Sequence, residues 1–147
     1  MKVALLEASH WHVPLYLDPL ETPGIQVVAV SDAEQVKGGA VAARFGSRLY
    51  ASSYELLDRE KVDFAFAFGR HSEMPAIAEA LIARKIPFAL EKPCGVNMSQ
   101  VTRLRKLAEE ARLEPSSARE RPFPRTRAPL PGSVAGFAWR TFVGSLN

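Results

Sequence analysis

The chain has 147 residues, 47% of them hydrophobic and 24% charged. That size and balance describe one folded domain of ordinary dimensions rather than a disordered chain, and no apolar run is long enough to span a bilayer. One cysteine, Cys94, excludes a disulfide framework, and the apolar run at residues 3–6 is cut by Glu7, His10 and His12 before a signal core forms. Together these lead to the expectation of a cytoplasmic protein with no membrane partner. The formal charge of +3 is uneven: residues 112–147 carry six arginines and two glutamates, which leaves the first 111 residues slightly acidic. Basic character confined to a tail gives the body no reason to bind nucleic acid.

Residues 2–6 read as a first apolar strand, followed by a loop at 7–12. A helix is predicted over residues 14–21, because proline at a first helical position loses no hydrogen bond, and Thr22-Pro23-Gly24 ends it. Residues 26–30 form a β-branched second strand closed by Ser31-Asp32. A helix follows over 33–45 with Gly46 after its end, and the Gly38-Gly39 pair weakens it by roughly 1 kcal/mol per glycine. A short third strand spans 48–51, and Ser52-x-x-Glu55 caps a short helix ending near residue 58. The fourth strand, 62–68, alternates phenylalanine and alanine, as suits a strand covered on both faces. A helix over 74–84, a fifth strand over 86–90, and a helix opened by Asn97-x-x-Gln100 and ending near 112 complete the body. Alternating strands and helices imply βαβ units, hence an α/β doubly wound parallel sheet of Rossmann-like type over residues 1–113. Residues 114–132 read as an irregular basic linker, and 133–147 as a single amphipathic C-terminal strand that needs a partner sheet. A second subunit is one source of that sheet, so a homo-oligomer is expected.

Chemistry-bearing residues gather at predicted strand ends. Glu91, Lys92, Pro93 and Cys94 follow the fifth strand, and ligands of open α/β sheets bind beyond the carboxyl ends of strands. Lys92 is a candidate to polarise a carbonyl or assist proton transfer, with Glu91 to orient it; the blander reading is a surface ion pair. A cis peptide at Pro93 is expected. Asp32 stands where a Rossmann fold puts an acid on the adenosine ribose, which favours NAD over NADP; as a plain N-cap, Asp32-x-x-Gln35 serves equally. The loop Glu7-Ala8-Ser9-His10-Trp11-His12 has no glycine, although close backbone approach to a pyrophosphate asks for it. His10, His12 and His71 follow the first and fourth strands, which are neighbours in such a sheet. They are candidates to bind cofactor or substrate oxygens and, as a further alternative, a metal ion.

The pieces Val27-Val28-Ala29-Val30-Ser31-Asp32, Ala43-Arg44-Phe45-Gly46, Ser53-Tyr54-Glu55-Leu56-Leu57, Val62-Asp63 and above all Glu91-Lys92-Pro93 resemble, in order and spacing, the N-terminal domain of the Gfo/Idh/MocA oxidoreductases. The resemblance implies an NAD(P)-dependent enzyme that transfers hydride between a nicotinamide and a sugar- or cyclitol-like hydroxyl compound. It puts Lys92 near the nicotinamide and Asp32 on the ribose, with Ala8, Ser9, His10, His12, His71 and Pro93 around the cofactor. Glu7, Ser9 and His12 occupy the places of the family's three glycines, and Glu73 stands near its histidine position. Residues 133–143 resemble the first strand of the family's second, substrate-binding domain, and the rest of that domain is expected to be missing. A non-catalytic oligomeric binding module is therefore the competing expectation. The Pro/Arg-rich stretch 115–131 has the composition of a natural linker and equally of a frameshifted GC-rich segment.

Overall fold

The computed structural model describes residues 1–111; the expected linker and C-terminal strand lie outside the described residues. The elements are β1 (Lys2–Leu6), α1 (Pro14–Leu20), β2 (Gln26–Ser31), α2 (Gln35–Phe45), β3 (Arg48–Tyr50), α3 (Ser53–Arg59), β4 (Phe64–Ala67), α4 (Met74–Ala83), β5 (Phe88–Leu90) and α5 (Met98–Glu110). All strand pairs are parallel, in the order β3-β2-β1-β4-β5. The chain winds outward from β1 through β2 to β3, then crosses back to β4 and β5 on the other side. Strand order reverses between β1 and β4, where such sheets open a crevice.

The Phe/Ala alternation of β4 sorts the two faces. Ala65 and Ala67 lie with Ala4 and Leu6 beneath Leu56, Ile77, Leu81 and Leu104 of α3, α4 and α5. Phe64 and Phe66 face the other way, with Val3, Leu5, Val27 and Val30, beneath Leu17 and Leu20 of α1 and Ala42 of α2. Small residues let α4 sit close on one side, and the rings fill a deeper gap on the other. The helix ends follow local chemistry. The Ser52 hydroxyl accepts from the Tyr54 N–H at 3.2 Å, the Asn97 side chain from the Gln100 N–H at 3.0 Å, and Gly46 ends α2 at φ 60°. Glu55 turns to Arg59 (3.1 Å).

Three elements differ most from expectation. β4 and β5 are shorter than the apolar runs that contain them. α2 starts at Gln35 rather than 33, because Asp32 holds the preceding turn: its carboxylate accepts from the Glu34 N–H (2.6 Å) and its carbonyl from the Gln35 side chain (2.5 Å). Gly38 is required by packing, since a Cβ there would stand 2.6 Å from the Asp32 Cβ and 3.1 Å from Leu49 Cδ1. Gly39 has no such neighbour, with Leu49 at 3.7 Å.

Candidate active site

The carboxyl ends of β1, β2 and β4 border a cleft of about 510 Å³ lined by Glu7, Ser9, His10 and Trp11 of the loop after β1, by Asp32 and Glu34 after β2, and by Phe68, Arg70 and Glu73 after β4. The loop keeps the sharp turn that glycine would make, because Glu7 itself adopts φ 60°. Its first three amides then bond within the protein. The Glu7 N–H points to the Ser31 hydroxyl (3.4 Å), the Ala8 N–H donates to the Ser31 carbonyl (3.1 Å), and the Ser9 N–H donates to the Asp32 carboxylate. Farther along, the His12 N–H donates to His10 Nδ1 at 3.2 Å. The N–H groups of His10 and Trp11 have no acceptor among the described residues. They are what the loop offers to an anion.

Asp32 is 1% exposed, and its carboxylate ties the β1 loop to the start of α2. The capping and loop-tying role is therefore filled within the protein. Glu34, exposed beside it, carries the carboxylate nearer solvent and pairs with Lys37 at 2.8 Å. Burial pushes the Glu7 carboxyl up from its ordinary value; the Ser53 hydroxyl, donating at 2.5 Å, opposes this, while Asp32 and Glu73 add to it. The cleft is thus rich in carboxylates, with Arg70 as its cation.

At the β5 end the expected pairing of Glu91 with the Lys92 side chain does not occur. Glu91 is buried; its carboxylate lies 3.1 Å from His12 Nδ1 and accepts from the Tyr16 hydroxyl (3.2 Å) and the backbone N–H of Lys92 (3.0 Å). A buried carboxylate needs several donors close by, and those donors come from the loop after β1 and from α1. Burial, with Glu91 adding to it, raises the Tyr16 phenol to about 12. The Lys92 side chain is exposed, with no carboxylate partner among the described residues. The Lys92–Pro93 peptide is cis, as expected. Cys94 is buried, and burial raises its thiol. His10 lies against His12 (ring centroids 5.2 Å) and Phe68 (6.3 Å). Burial lowers its pKa, Glu91 opposes this, and His12 and His71 reinforce it. The histidines do converge, yet among the described residues no group of three His, Cys, Asp or Glu side chains is placed to hold a metal ion. Tyr16, Glu34 and Arg70 were not singled out from the sequence, and Tyr16 carries no motif that would flag a partner 75 residues away.

Residues 8–115 match the oxidoreductase family with an NAD-binding Rossmann fold named for Gfo, Idh and MocA. The chain belongs to that family. A search of curated protein sequences gives no match. Among solved structures the chain is similar to the myo-inositol 2-dehydrogenase of Lactobacillus plantarum, at TM-score 0.69 and 16% identity, over 76% of this chain and 33% of that one. It resembles the WlbA dehydrogenase of Chromobacterium violaceum, solved with NADH and UDP-GlcNAcA, at TM-score 0.71 and 18% identity, over 76% and 33%. It also resembles KijD10, a 3-ketoreductase of Actinomadura kijaniata solved with NADP and TDP-benzene, at TM-score 0.67 and 20% identity, over 76% and 34%. At such identities the likeness is one of fold, and the chain spans about a third of the length of each. The family and its oxidoreductase fold are established by the match, as the sequence motifs implied. Among the described residues no helix is long and apolar enough to cross a membrane.

Proposed function

We propose that this domain is the dinucleotide-binding half of a dehydrogenase acting on a sugar- or cyclitol-like hydroxyl compound. The observation that carries it is the convergence, at one edge of a 3-2-1-4-5 parallel sheet, of the β1 turn, the carboxylates after β2 and Glu91-Lys92-Pro93 after β5. The residues present fit a dinucleotide. The left-handed turn at Glu7 keeps the loop low, the unpaired amides of His10 and Trp11 can donate to phosphate oxygens, and the cleft volume lies within the ordinary range for ligand sites. A bound nicotinamide supplies the acceptor or donor of hydride. The chain's own part is to hold it and manage charge: Glu34 and Asp32 stand on the ribose side, and the exposed Lys92 offers a cation to a substrate oxygen. Carboxylates at Glu7, Asp32, Glu34 and Glu73 repel a 2′-phosphate, which favours NAD over NADP. The substrate site is completed by residues beyond the described domain or by another copy of the chain.

The competing reading, a non-catalytic oligomeric module, draws support from the three loop amides already bonded within the protein. One titration separates the two. Enhancement of NADH fluorescence with saturable binding supports the dehydrogenase, whereas no binding of NAD or NADP at millimolar concentration rejects it for this chain. Light scattering after size exclusion then tests the module: a clean monomer counts against it.

A further inference from the structure

We propose that His12, held by the buried Glu91 carboxylate, is the proton acceptor of this site, with Glu91 as its positioning residue. The proposal rests on the dehydrogenase reading above and assigns Glu91 a different partner from the Lys92 side chain that follows it. Three observations carry it. The first is the contact between His12 Nδ1 and Glu91 Oε2 at 3.1 Å, where side chains far apart in the sequence meet at 15% and 6% exposure. An acceptor that buried makes Nδ1 the protonated nitrogen of the neutral imidazole, so the lone pair is on Nε2. The second is that Nε2 has no partner among the described residues. The third is that the pair is braced. Glu91 also accepts from Tyr16 (3.2 Å) and the Lys92 N–H (3.0 Å), and its own N–H donates to the Ala67 carbonyl at 2.8 Å. The His12 backbone is held on His10 Nδ1 (3.2 Å) and by the Leu15 N–H (2.9 Å), and the Trp11 ring lies against the imidazole.

In the oxidative direction the substrate hydroxyl proton passes to His12 Nε2 as the carbinol carbon becomes a carbonyl. The hydride from that carbon goes to an oxidised nicotinamide dinucleotide, and the new imidazolium is balanced by Glu91. Reduction returns the same proton to the carbonyl oxygen. The base is thus anchored to β5 while being carried on the loop after β1, one residue type replacing a glycine expected at that place.

The test needs no turnover. Long-range 1H–15N spectra of the full chain at alkaline pH are expected to show His12 as the Nδ1–H tautomer, against the usual Nε2–H preference of a free imidazole. Residue-resolved acylation by diethyl pyrocarbonate is expected to modify His12 at Nε2. In Glu91→Gln, which keeps an oxygen acceptor but removes the charge, acylation of His12 slows severalfold while that of His71 does not change. A Glu91 that only packs would leave the rate alone. An Nε2–H tautomer in the wild-type chain, or an unaltered His12 rate in a folded Glu91→Gln, overturns the proposal. If that variant does not fold, the wild-type tautomer decides alone. Absence of dinucleotide binding by the wild type would instead reject the dehydrogenase reading and leave the tautomer result standing.

Discussion

Replacing Glu7 tests how the loop after β1 substitutes for a glycine turn. Glu7 sits at φ 60°, a conformation that costs an L-residue about 1–2 kcal/mol and glycine almost nothing. Glu7→Gly also loses the 2.5 Å bond from Ser53, as does Glu7→Ala, so the difference between the two isolates the backbone. Allowing about 0.5 kcal/mol for the looser unfolded chain of a glycine, Glu7→Gly should be the more stable by about 1 kcal/mol. In thermal unfolding that is a Tm difference of about 4 °C or more for a domain near 100 residues. The same variant removes a carboxylate from the cleft. At roughly 8 Å and an intermediate effective dielectric, one phosphate charge gains about 1 kcal/mol, or roughly fivefold in NAD affinity. The pH dependence has a defined sign. Because the folded-state pKa of Glu7 is raised, mainly by burial, its protonated form favours the folded state. Its contribution is complete below the ordinary carboxyl value of 4.5 and disappears as pH rises through the raised one. Denaturant titrations should therefore show Glu7→Gln gaining on wild type as pH climbs through that window, then holding level. An alanine variant as stable as the glycine one would refute the left-handed turn, and a parallel pH profile for Glu7→Gln would refute the buried carboxyl.

The adjacent glycines of α2 should respond in opposite ways to alanine. Gly38→Ala meets the Asp32 Cβ and Leu49, so overpacking should outweigh helix propensity and cost about 1–2 kcal/mol, while Gly39→Ala should gain up to about 1 kcal/mol by denaturant melting. An ultraviolet titration should find a tyrosine that ionises at about 12, identified as Tyr16 by its loss in Tyr16→Phe and moved toward the ordinary value of 10.0 in Glu91→Gln. The raised phenol favours the folded state only while protonated, so its contribution should be lost as pH rises through about 12. Cys94, buried and with its thiol raised, should resist alkylation in the native protein and react on unfolding; fast native labelling would contradict its packing in the core.

Much of this fold is readable along the chain because its signals are local. The Phe/Ala alternation of β4, the side-chain caps at Ser52 and Asn97 and the glycine after α2 each act within a few residues, so strand and helix order follow from neighbouring chemistry. Glu91-Lys92-Pro93 could likewise be placed at a strand end, with its cis peptide, from residues side by side. Partner choice could not. Glu91 lies next to Lys92 in sequence, yet its carboxylate faces inward to His12 and Tyr16, which only the parallel pairing of β1 with β4 and β4 with β5 brings within reach. Asp32 reads from the sequence as ribose ligand or as cap, and the Ser9 and Glu34 amides that close on it come into view only in the fold. Loss of the loop glycines reads as loss of the turn until Glu7 is found making it. Backbone propensities report over three or four residues and fix the elements; a buried carboxylate takes whichever side chains the fold carries to it, and the two that meet Glu91, Tyr16 and His12, lie 75 residues or more away.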